Sequence, residues 1–159
     1  MKKYLFLLLL LVPALSLVSC SDDHDLPNVD FNFTFENAVE LDGTLYVVQG
    51  ETFEIASIQV INKEEGKNAL ITAANYYWDY YFLGSTVQPP YGFEISVEEN
   101  TPLGEHLLEV ECPLYAVDKE PAFAVVAFNV KVVASAEDIP DEGSSFTTLH
   151  PSISDGENN

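Results

Sequence analysis

The chain has 159 residues, enough for one domain of ordinary size and too few for two comfortable ones. Its 26 Asp and Glu against six Lys give a formal charge of −20, a surface that repels phosphate backbones and anionic headgroups and so excludes nucleic-acid binding and polybasic membrane docking as functions. Hydrophobic residues at 47%, with 10 Phe and 8 Tyr, exclude a disordered chain.

The first segment reads as an export leader. Lys2 and Lys3 form a positive start, Leu5 to Val12 an unbroken apolar run, and Pro13 and Ser16 soften its end. A membrane-spanning helix needs roughly 20 apolar residues, and Cys20-Ser21-Asp22-Asp23 closes this run too early. Leu17-Val18-Ser19-Cys20 resembles the bacterial lipobox. The resemblance implies that residues 1–19 are a lipoprotein signal peptide, and that Cys20 takes a diacylglyceryl group on its sulfur and becomes the new N-terminus. Cys suits this chemistry because its thiolate is the nucleophile. Each buried methylene contributes about 0.8 kcal/mol, and two or more chains hold a protein durably on a bilayer. The alternative is an incidental thiol near a soluble-secretion site. Without the leader, 4 Lys face the same 26 acids, a formal −22. With Cys20 taken up by the lipid, Cys112 is left without a cysteine partner, so no internal disulfide is expected.

Residues 20–28 read as a lipidated acidic tether. Ser21-Asp22-Asp23-His24-Asp25 resembles the acidic export tag of surface lipoproteins in Bacteroidetes-type bacteria. That resemblance implies a lipid-anchored protein of the outer membrane, exposed at the cell surface; the alternative is a solvated spacer. Four adjacent residues on a tether do not converge on a metal ion.

Residues 29–134 alternate as strands do and show no helical spacing. Phe31, Phe33 and Phe35 share one face of the first strand. The turn Asp42-Gly43 leads into a strand at Thr44 to Val48, and Gln49-Gly50 into another at Phe53 to Ile61. There Phe53 and Ile55 fall out of phase with Ile58 and Val60, which predicts a bulge near Ala56-Ser57. After the polar loop Asn62 to Asn68, a long strand is expected over Ile71 to Phe82, a loop over Gly84 to Pro90 and a strand over Tyr91 to Val97. Asn100 to Gly104 is a turn, His106 to Cys112 a strand, and Phe123 to Val133 the last, with Val126, Phe128, Val130 and Val132 inward. Seven or eight short strands predict an all-β fold, a two-sheet antiparallel sandwich. Residues 135–159 are acidic, broken by Pro140 and Gly143, and expected to be a disordered tail on which Phe146 and Leu149 alone could dock.

Ala74-Asn75-Tyr76-Tyr77-Trp78-Asp79, Leu83-Gly84-Ser85-Thr86, Pro89-Pro90-Tyr91-Gly92-Phe93 and Gly104-Glu105-His106 together are similar to bacterial immunoglobulin-like domains of the cadherin or PKD type. The family implies a spacer or binding module, seldom a catalyst. Tyr80 stands where the family commonly has Gly. By alternation alone, Ala74, Tyr76 and Trp78 point inward, and Asn75, Tyr77 and Asp79 outward. Leu108, Val110 and Cys112 face the core opposite Glu109 and Glu111, making Cys112 an inert core residue.

Tyr77, Tyr80, Tyr81 and Tyr91, with Asp79 and Asn75 beside them, are the candidate ligand-binding residues. Tyr rings stack on sugars or anchor protein interfaces, and the polar pair bonds hydroxyls. The alternative is that these rings cap the sandwich edge. Nothing points to an enzyme: His24 lies on the tether, His150 in the tail and His106 at a strand edge, and no Ser-His-Asp order, HExxH or Gly-rich phosphate loop is present. Asp42, Glu51, Asp79, Glu98, Glu99 and Asp118 lie near loop ends where Ca²⁺ ligands could gather, but no ordered Asp-x-Asp-x-Asp loop exists, so neither a metal nor a cofactor is expected. The sequence reading is a lipid-anchored envelope module that recognises a glycan or another envelope protein. The alternative is a structural spacer or assembly subunit with no ligand of its own.

Overall fold

The computed structural model describes residues 25–66 and 68–156. The leader, Cys20 and His24 lie outside the described residues. Among the described residues there are twelve strands: β1 (Val29–Glu36), β2 (Val39–Leu41), β3 (Thr44–Val48), β4 (Thr52–Asn62), β5 (Ala69–Ile71), β6 (Ala74–Trp78), β7 (Tyr81–Thr86), β8 (Phe93–Ser96), β9 (Gly104–Ala116), β10 (Ala122–Val133), β11 (Phe146–Leu149) and β12 (Ser152–Ser154). They form a four-stranded sheet in the order β11-β1-β4-β8 and an eight-stranded one in the order β2-β3-β10-β9-β6-β7, with β5 added to β9 and β12 to β10. The architecture is all-β, an immunoglobulin-like two-sheet sandwich.

Alternation determines what lies between the sheets. Phe31, Phe33 and Phe35 of β1 are fully buried, and Phe33 and Phe35 meet Phe128 of β10 edge-on at 4.9 and 5.5 Å. Leu108, Val110, Cys112 and Leu114 of β9 complete the larger sheet's inner face. Among the described residues no polar or charged residue is buried, so the core is wholly apolar apart from the tyrosine hydroxyls and the Cys112 thiol. Burial pushes that thiol up to about 12, which makes it unreactive. The bulge in β4 is where the phase change puts it. Thr34 faces Ser57 and Phe35 faces Ile55, so Ala56 is the extra residue, and the slip returns both Phe53 and Ile58 to the core.

Four expectations need correction. The stretch expected as one strand over 71–82 is β5, β6 and the start of β7, because the chain reverses at Asp79-Tyr80. Residues expected to loop after Gly84 continue β7 to Thr86. The strand count is correspondingly twelve, and β3 runs parallel to β10 from Thr44 beside Asn129 to Val48 beside Val133, so the pairing is not antiparallel throughout. Finally, the tail expected to be disordered returns to the domain. β11 pairs with β1, β12 with β10, Leu149 and Ile153 pack on the core, and His150 Nδ1 lies 2.9 Å from Asp30 Oδ1. Two short strands suffice because each only completes the ladder of a longer strand already in place.

Candidate binding surface

β6 and β7 form a hairpin closed by two residues, Asp79 and Tyr80, with Trp78 opposite Tyr81. Two-residue hairpin turns of the favoured primed type need positive φ at both central residues. Asp79 has φ 48° and Tyr80 φ 70°. Asp tolerates this region; Tyr does so at a steric cost of roughly 1–2 kcal/mol. Tyr80 thus occupies the position where glycine is usual, and its ring is aimed into solvent.

Asp79 is the brace that holds the turn. Its N–H donates to the Leu107 carbonyl (2.8 Å), Leu107 N–H donates to its Oδ1 (2.9 Å), and its Oδ2 lies 2.7 Å from His106 Nδ1. The other ring nitrogen of His106, Nε2, lies 2.8 Å from the Pro102 carbonyl oxygen. Carboxylate and carbonyl both only accept, so the arrangement is fully satisfied when both ring nitrogens carry a proton, and it favours the imidazolium form of His106. Burial disfavours that charge, but the bonds to Asp79 and Pro102 outweigh it and raise the His106 pKa. Burial would likewise raise Asp79, yet the bonds from His106 and Leu107 prevail and lower it. Trp78 lies against the ring at 5.2 Å between centroids. His106 has no free nitrogen with which to act as a base.

Beyond the turn the surface is aromatic. Tyr80 and Tyr81 are 79% and 78% exposed, Phe82 and Leu83 are exposed as well, and the far edge of β7 pairs with no strand among the described residues. Tyr77, half-buried on the outer face, lies 5.5 Å from Phe82 and stands opposite Glu109. One row along, Asn75 stands opposite Glu111 and donates to its Oε1 at 3.3 Å. Burial, then Glu111 and Glu109, raise the Tyr77 pKa, so its hydroxyl keeps its proton. Tyr77, Tyr80, Glu109, Glu111 and Val125 line one open concavity of about 420 Å³. Such a surface offers ring faces for stacking and carboxylates that accept from hydroxyls or amines.

The structure thus brings Tyr77 and Tyr80 to one concavity, sets the exposed Tyr81 opposite Trp78 on the other face of the hairpin, and removes Tyr91 from the candidate set. Tyr91 is buried; its hydroxyl donates to the Ile71 carbonyl (2.7 Å) and its own carbonyl accepts from Tyr76, so it is a core brace with no face to offer. Asp79 is a positioning residue whose oxygens are already engaged. Phe82, Glu109 and Glu111 join the surface instead. The outward alternation of Glu109 and Glu111 on β9 was visible in the sequence, but not that β6 lies beside it. Of the loop acids, Glu51, Glu98 and Glu99 line one shallow recess. Among the described residues no group of three His, Cys, Asp or Glu is placed to hold a metal ion, and no helix is long and apolar enough to cross a membrane.

No family model matches the chain, and no curated protein does. Among solved structures, it is similar to the fibronectin(III)-like modules of Clostridium thermocellum CbhA, at 16% identity and a TM-score of 0.35, over 64% of this chain and 96% of that one.

Proposed function

We propose that the chain is a lipid-anchored binding module of the cell envelope, held by Cys20 and presenting the β6–β7 hairpin to a glycan or to another envelope protein. The lipobox and the acidic segment after it support an outer-membrane, surface-exposed location of the Bacteroidetes type. The observation that carries the reading is the separation of the hairpin from the chain's point of entry. The turn is bonded to Leu107 near the start of β9, whereas Asp25 is held beyond the end of β9, where Lys119 Nζ reaches its Oδ1 at 2.6 Å. Nine residue steps along β9 separate Leu107 from Ala116, about 30 Å. An anchor at one end and exposed tyrosines at the other suit recognition at a distance from the membrane. The exposure of Tyr80 and Tyr81 favours binding over a mere spacer, and the edge of β7, which pairs with no further strand among the described residues, suits a protein ligand that adds a strand.

Tyr80→Gly tests this without disturbing the fold. Relief of the left-handed strain, roughly 1–2 kcal/mol, offsets the extra chain entropy that glycine loses on folding, roughly 0.5–1 kcal/mol, so stability stays within about 1 kcal/mol of the native value. On a glycan array, and in photocrosslinking from position 81 on cells, the expected result is a ligand bound by the native protein and lost on Tyr80→Gly. No glycan and no adduct for the native protein would leave the spacer reading standing.

A further inference from the structure

The opposite end of the sandwich carries an apolar strip of its own. β5 pairs with the end of β9 and sets Leu70, 54% exposed, opposite the exposed Tyr115. Phe123, also exposed, stands opposite Pro113, a diagonal step of about 7–8 Å from Tyr115 on the same outer face. Val117, 61% exposed, follows in the β9–β10 connection. Four large apolar side chains therefore gather at one corner of the larger sheet.

The chain enters the domain at this corner. Lys119, its side chain 8% exposed, binds both Asp25 (2.6 Å) and Glu64 (3.0 Å), and the Asp25 carbonyl accepts from Glu120 N–H at 3.3 Å. Residue 25 is thereby fixed to the β9–β10 connection, two residues from Val117. Cys20 lies five residues upstream, and five residues span at most about 18 Å. A lipid on Cys20 holds this corner within that distance of the bilayer, where apolar side chains and an amphipathic Tyr are at home.

We propose that Leu70, Tyr115, Val117 and Phe123 seat on the lipid surface that carries the anchor, so that the domain stands on the membrane rather than swinging from it. The inference rests on the lipid-anchor reading above. The surface it fits is a zwitterionic headgroup layer: Lys119 is already taken up by Asp25 and Glu64, and the strongly acidic chain as a whole repels anionic lipid. A second copy of the chain is disfavoured by the mutual repulsion of two strongly acidic bodies.

The native chain has a single Trp, Trp78, beside the distal turn, and Tyr115→Trp adds one within the strip at an exposed position that tolerates it. Acylated protein of each kind is placed on phosphatidylcholine vesicles with brominated acyl chains, and sedimentation checks attachment. Native emission should be unchanged by bromine, while the emission added by Tyr115→Trp should be mostly lost, and adding phosphatidylglycerol should restore part of it. Tyr115→Trp protein that sediments with the vesicles yet keeps the added emission overturns the seating and leaves the anchor intact. Added emission that is shifted to the blue without vesicles and unaffected by bromine assigns the strip to a second copy and also overturns it. Acylated protein that fails to sediment overturns the anchor reading, and the seating with it.

Discussion

Tyr76→Ala is expected to destabilise the domain by about 3–5 kcal/mol, the range for emptying a buried aromatic site. Tyr76 is fully buried, stacks on Phe93 at 4.3 Å with planes 4° apart, and its hydroxyl engages Thr86 Oγ1 (3.1 Å) and the Tyr91 carbonyl. It therefore fastens β6 and β7 to the segment before β8 and so joins the two sheets. Burial pushes its hydroxyl up to about 12, so it remains a donor over the ordinary pH range. Tyr76→Phe keeps the ring and should cost about 1 kcal/mol, the net worth of a hydrogen bond. Denaturant melts measure both, and a Tyr76→Ala loss under about 1 kcal/mol would contradict the packing described. A loss of the expected size is a large share of the roughly 5–15 kcal/mol that such domains possess.

Asp79→Ala should loosen the turn and leave the imidazolium of His106 without its partner. Hydrogen bonds to charged groups are worth about 1.5–3 kcal/mol, and the lower end applies because the Asp79 side chain is 40% exposed. The pair also has a pH signature. His106 has its pKa raised on folding, so its contribution is complete below the unfolded value of 6.5 and fades as pH rises through the folded one. Asp79 has its pKa lowered, so its contribution is present above 3.8 and fades as pH falls through the folded value. The native protein should show its full pair stabilisation between those two values. Asp79→Asn should flatten the alkaline fall and bring the His106 titration, followed by NMR, back down. An unchanged His106 titration would mean that Asp79 does not hold the ring.

The contrast between Phe31-Phe33-Phe35 and Trp78-Asp79-Tyr80-Tyr81 explains how far the sequence could be read. Strict alternation fixes which residues are buried whatever their partners, so β1, β9 and β10, the bulge at Ala56 and the core place of Cys112 were all legible. The hairpin turn was not, because its signal is positive φ and Tyr80 conceals it where glycine would have announced it. The parallel β3–β10 pair joins residues some 85 positions apart, and β11 and β12 are too short and polar to show a period. At the candidate site, Tyr77, Tyr80 and Tyr81 were legible as surplus aromatics. The burial of Tyr91 and the bond between Asp79 and His106 depend on which segments become neighbours, and no local pattern carries that.

The claim that a lipid holds one end of this sandwich while the tyrosine hairpin faces outward meets its most direct test in thiol labelling of intact cells. Outside the leader the native chain has one cysteine besides Cys20, the buried Cys112. With Cys20 acylated, a membrane-impermeant maleimide should leave the native protein unlabelled and label Tyr81→Cys to completion. Labelling of the native protein at Cys20, or a Tyr81→Cys protein that reacts only after the cells are broken, would contradict the account.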